Sequence, residues 1–84
     1  MSASPALLSP SPVVMRAAHS SERRTIARLA ALDSKAAPRG DVLVAEVDGA
    51  IPAAIELGSG TVYANPFRPT AHLVALLELR ARAA

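Results

Sequence analysis

Cysteine is absent from the chain, so neither a disulfide framework nor thiol chemistry can contribute to stability or activity. Tryptophan is absent too, and the aromatic residues reduce to Tyr63 and Phe67. So few rings cannot build the stacking platform that single-stranded nucleic acid requires. Lysine is just as scarce: eight arginines and one lysine face seven acids, for a formal net charge of +2. The arginine bias, with abundant alanine, is what a GC-rich genome encodes. No basic cluster exceeds Arg23-Arg24, so no nucleic-acid partner is expected. No apolar run approaches the roughly 20 residues of a membrane span. No charged n-region precedes the short Ala6-Leu7-Leu8 run, so a secretory signal is not expected and a cytoplasmic location is. His19 and His72, without cysteine or an i, i+4 spacing, make no metal site.

What remains is a short globular chain of 84 residues, 51% apolar and 19% charged. Residues 1–12, "MSASPALLSPSP", carry no charge and no periodicity and read as a disordered tail. Residues 13–84 form a single small domain. At that size only about 60% of the unfolded surface can be buried, and alanine supplies much of the apolar fraction, so stability without a partner is marginal.

Val13-Val14-Met15 is a β-prone run leading to His19. Ser20 or Ser21 can cap a helix over 22–33, with Glu22 facing the positive dipole end. Ile26, Leu29 and Ala30 recur at helical spacing, Leu32 widens the stripe, and Arg23, Arg24 and Arg28 lie outside it. Residues 34–40 read as a loop. Asp48-Gly49 joins two β-prone runs and suits a two-residue hairpin, whose central residues both need positive φ. Val42 to Ala45 is continuously apolar, as in a strand covered on both faces. Pro52 cannot donate to a ladder and requires a strand start, a bulge or an edge. Gly58-Ser59-Gly60 makes a second turn and Thr61 to Ala64 a third β-run. Pro69 or Thr70 opens a last helix with Leu73, Leu76, Leu77 and Ala81 on its buried face. The expected fold is α+β, in the order β-α-β-β-β-α: an antiparallel meander over 42–65, extended by the strand near 13–17, with two helices packed on it.

That order, with "LVAEVDGAIPAAIEL" at 43–57, "RLAALDS" at 28–34 and "NPFRPTAHLVALLELRARA" at 65–83, resembles the N-terminal half of the GNAT superfamily of acyl-CoA-dependent N-acetyltransferases. The strings at 28–34 and 65–83 also look like those of small actinobacterial proteins of this type. The resemblance implies a strand running into a helix whose N-terminus cradles the pyrophosphate of acetyl-CoA. In the family the cradle reads Gln/Arg-x-x-Gly-x-Gly/Ala. Here "PFRPTAHL" has neither glycine, only Arg68 matches the first position, and a proline removes one N–H from the cradle. Arg68 and Thr70 are the candidate cofactor-binding, anion-site residues. The ordinary reading makes Arg68 an exposed residue before a proline and Thr70 a capping hydroxyl, with the loop a rigid corner. The family's later strands would have to come from elsewhere, so a complete acetyl-CoA site within the chain is not expected.

Other candidates carry equally ordinary readings. Glu46 and Glu56, each in a strand, could act as general bases if burial raised their pKa. Otherwise they face water or pair with a cross-strand arginine. His72, one turn into the last helix, has no acid nearby in sequence to orient it. His19 is a loop residue, Tyr63 a packing residue, and Met15 and Phe67 core. Serines 20, 21, 34 and 59 sit where caps and turns want them, so no nucleophilic team forms and no catalytic residue is assigned. The expected function is a GNAT-like module that self-associates as a homodimer or binds a protein partner, without a cofactor. Its expected surfaces are the last helix and the strand at 61–65, which has no later strand to pair with. The alternatives are an N-acetyltransferase whose acetyl-CoA site is completed by dimerisation or a partner, and a reduced domain with no selected activity.

Overall fold

A computed structural model describes residues 12–83. The tail expected over 1–12 lies, apart from Pro12, outside them. The chain runs through β1 (Val13–Ala17), a 3-10 turn (Ser20–Glu22), α1 (Arg23–Leu32), β2 (Val42–Val47), β3 (Ala50–Glu56), β4 (Val62–Ala64) and α2 (Ala71–Ala83). The strands make one antiparallel sheet in the order β1-β2-β3-β4, so the α+β class and the β-α-β-β-β-α order are as expected.

Each face of the sheet is covered by one helix. On one face Ile26, Leu29 and Ala30 of α1 pack against Val42, Val44, Ala54 and Tyr63. On the other, Leu73 and Leu77 of α2 pack against Leu43, Ala45, Ala53 and Ile55. Double cover is the reason Val42 to Ala45 are all apolar: successive side chains point to opposite faces, and here both faces are dry. Small residues fill the contact layers, with Ala30, Ala45, Ala53 and Ala54 fully buried.

Local chemistry sets the turns. Asp48 and Gly49 have φ of 52° and 80°, the paired left-handed conformations of a tight hairpin. Val47 pairs with Ala50 and Ala45 with Ala53, so β3 carries one residue more than β2 between those pairs. Ile51 and Pro52 thus form a bulge opposite Glu46, where a missing N–H does no harm. The β1–α1–β2 excursion leaves and rejoins one end of the sheet, closed by the Ala18 N–H donating to the Val42 carbonyl at 2.8 Å. α1 stops in a Schellman arrangement: Ser34 takes φ of 57°, and the N–H groups of Ser34 and Lys35 donate to the carbonyls of Ala31 and Ala30.

Several expectations are corrected. The helix begins at Arg23 rather than Glu22, and neither Ser20 nor Ser21 caps it, because both lie inside the 3-10 turn. The Glu22 carboxylate instead reaches back to the His19 N–H at 2.8 Å. Leu32 and Leu76 are exposed rather than buried, because they fall on the flanks of helices that each meet the sheet along a narrow line. Phe67 is 82% exposed and not core: it occupies a turn that directs it away from the sheet.

Candidate functional site

The 65–70 corner is built by Asn65. Its Oδ1 accepts the Phe67 N–H at 2.9 Å and its carbonyl accepts the Arg68 N–H at 3.2 Å, a side-chain turn nested in a backbone turn. Pro66 sits inside the turn and Pro69 directly follows it. The Thr70 carbonyl accepts the Val74 N–H at 2.9 Å, so the ladder of α2 starts from Thr70. Arg68 is exposed and Thr70 half-buried, and neither makes a side-chain hydrogen bond or ion pair among the described residues. His72 is exposed. The corner therefore offers an anion the start of one helix and a single arginine.

The two strand carboxylates are already occupied. Arg16 lies between Glu46, at 3.0 Å from Nε, and Glu22, whose two oxygens accept from the guanidinium at 2.7 and 2.8 Å. The Arg16 hydrogen bonds, aided by the His19 N–H, hold the Glu22 carboxyl down to about 2. Hydrogen bonds to Glu22 and Glu46 push Arg16 further above its usual range. Glu46 thus takes the cross-strand arginine anticipated for it. Glu56 takes no arginine side chain. Its Oε2 accepts the N–H groups of Gly40 at 2.7 Å and Arg39 at 3.0 Å, and Oε1 accepts the Ser59 hydroxyl at 2.9 Å. These bonds, the one from Gly40 first, hold its carboxyl below the usual range. A carboxylate stabilised in this way is a poor base. The Tyr63 phenol is shifted upward, mainly by burial and then by the Glu56 charge, and stays protonated.

The sheet's edges differ in a way no local pattern announces. Thr61 and Asn65 direct backbone groups to Glu56 and Pro52 of β3, so the alternate residues Val62 and Ala64 turn theirs outward. Those outward groups meet the end of α1. Asp33 Oδ2 accepts the Ala64 N–H at 3.1 Å, and the Lys35 ammonium donates to the Val62 carbonyl. Asp33 and Lys35 also pair at 3.1 Å, and the ammonium stands 5.8 Å from the centre of the Tyr63 ring. The Ala64 N–H and Lys35 together hold the Asp33 carboxyl below its usual range. The β4 edge is therefore capped, although the sequence suggests an open one.

At β1 the inward positions are fixed by Ala18, which bonds Val42; Arg16 and Val14 follow in the same phase, opposite Val44 and Glu46. Val13, Met15 and Ala17 turn their backbone groups outward, and the contact recorded there is the Arg16 guanidinium on the Ala17 carbonyl at 3.2 Å. Val13 and Val14 are 36% and 49% exposed. No described strand or helix lies beyond this edge.

Two concavities accompany these features. A cleft of about 950 Å³ lies between the start of α1 and the 37–41 loop, lined by Ile26, Val42 and Leu57 with Arg23 and Arg39. A shallower one of about 430 Å³ is bounded by Lys35, Arg39, Glu56 and Tyr63. Among the described residues no group of acids and histidines could hold a metal ion, and no helix is long and apolar enough to cross a membrane. Asp33, Lys35 and Arg16 were not singled out from sequence. Lys35 and Asp33 act on residues 27 and 31 positions away, and the only local hint is the Asp-Ser-Lys stop after an amphipathic helix. No family model, curated protein or solved structure matches the chain.

Proposed function

We propose that this protein is a small interaction module, built like the N-terminal half of an acyl-CoA N-acyltransferase, that works by self-association. The observation that carries this reading is the difference between the sheet's edges. β4 is bonded to the α1 stop, whereas β1 presents outward backbone groups flanked by the exposed side chains of Val13 and Val14. An unprotected strand edge is a template for another strand. The commitment of Glu22, Glu46 and Glu56 to internal hydrogen bonds favours an interaction role over acid–base chemistry. Sedimentation equilibrium of the full chain over micromolar concentrations is the test. A concentration-dependent dimer is expected, and a stable monomer throughout would overturn the reading.

The second reading is acyl transfer from acetyl-CoA to an amine at a site completed by a second copy or a partner. It is favoured by the β4-to-α2 junction, where exposed Arg68 precedes the free N-terminal turn of α2. A ligand that binds only the folded state raises its melting temperature. Melting with and without millimolar acetyl-CoA decides it: a rise lost in Arg68→Ala supports this reading, and no rise removes it.

A further inference from the structure

We infer that two copies of this chain join through their β1 strands, antiparallel and two-fold symmetric about Met15, to form one continuous eight-stranded sheet. The inference rests on self-association and adds where it happens and in which register. The outward-facing residues of β1 are Val13, Met15 and Ala17, a set symmetric about Met15. A two-fold axis there sets Val13 opposite Ala17 of the second copy and Met15 opposite itself, so each outward N–H meets an outward carbonyl, the Ala17 carbonyl sharing its second lone pair with the Arg16 guanidinium. Val14 then lies beside Arg16 of the other copy. Arg16, the only charge on β1, is already neutralised by Glu22 and Glu46, so no like-charge clash opposes pairing.

The capped edge decides the stoichiometry. A sheet open at both edges would grow into a filament, whereas one closed by Asp33 and Lys35 has a single joining surface and stops at two copies. The exposed Leu76 and Leu79 on α2 are the rival surface. They stand among Glu78, Arg80 and Arg82, and apolar residues scattered in this way are ordinary on a monomer.

The chain contains no cysteine, which makes cross-linking decisive. Met15→Cys brings its own thiol opposite itself across the axis, at the roughly 5.5 Å Cα separation that a disulfide spans. Val13→Cys sets like residues about four positions apart along the strand, roughly 13 Å, out of reach. Oxidation should link Met15→Cys into a covalent dimer and leave Val13→Cys monomeric. Ala17→Pro removes an outward N–H and leaves the β1–β2 ladder intact, so the far-ultraviolet spectrum should persist while the dimer dissociation constant rises at least about tenfold. A dimer that ignores Ala17→Pro, fails to cross-link at position 15 and dissociates on Leu79→Glu overturns the β1 interface while self-association stands. A monomer at all concentrations overturns both.

Discussion

Glu22 stands at the crossing of two requirements, the unsatisfied amide at the start of a helical segment and the charge of Arg16. It meets both with one carboxylate, bonding the His19 N–H and both outer nitrogens of the guanidinium. Glu22→Gln keeps the shape but removes the charge, and should cost about 1 kcal/mol at neutral pH in urea melts, because solvent screens a partly exposed pair. The sign of the pH dependence follows from the shift. The folded-state value, about 2, lies below the ordinary 4.5, so the stabilisation is complete above the ordinary value and lost as pH falls through the folded one. The stabilities of the protein and of Glu22→Gln should therefore converge as pH falls from about 4.5 towards 2. Glu56 shows the same chemistry with backbone donors, and Glu56→Ala should loosen the 39–40 loop. Faster amide hydrogen exchange at Gly40 checks this.

At the level of elements, the two helices have narrow contacts with the sheet. Leu77 is fully buried, and Leu77→Ala should cost about 2–5 kcal/mol through lost burial and the cavity left behind. Leu76, one residue away and 43% exposed, should cost less than about 1 kcal/mol when replaced by alanine. Urea melts of the pair test the orientation of α2 directly, since sequence spacing alone placed both leucines on its buried face. The β2–β3 hairpin is tested by Gly49→Ala. A side chain at φ of 80° is strained even though the space around Gly49 is open, and a loss of about 1–2 kcal/mol is expected.

For the whole molecule, the proposed self-association gives the asymmetry between the sheet's edges its consequence. Under the β1 pairing proposed above, the Asp33 and Lys35 contacts are what keep the assembly finite. Replacing both by alanine uncovers the outward groups of Val62 and Ala64 and makes a second joining edge. Light scattering should then show species larger than a dimer, growing with concentration. Ala17→Pro added to that double variant should limit growth again, since only β4 would remain open. A strictly dimeric double variant would show that the α1 stop has no protective role.

The elements and their order were legible in the sequence because each rests on interactions within a few residues: helical spacing in α1, positive-φ preference at Asp48-Gly49, and the missing N–H of Pro52 at the bulge. A corner over 65–70 was legible for the same reason, but its turn is built by the Asn65 side chain, and Thr70 does not act as the capping hydroxyl expected of it. Tertiary structure alone decided which helix covers which face, how far Leu32, Leu76 and Phe67 stay exposed, and what each carboxylate binds. Above all it decided that the end of α1 caps β4 and leaves β1 as the other edge. Local propensity registers only near neighbours along the chain, whereas the partners of Asp33 and Lys35 meet them only after α1 has crossed the sheet.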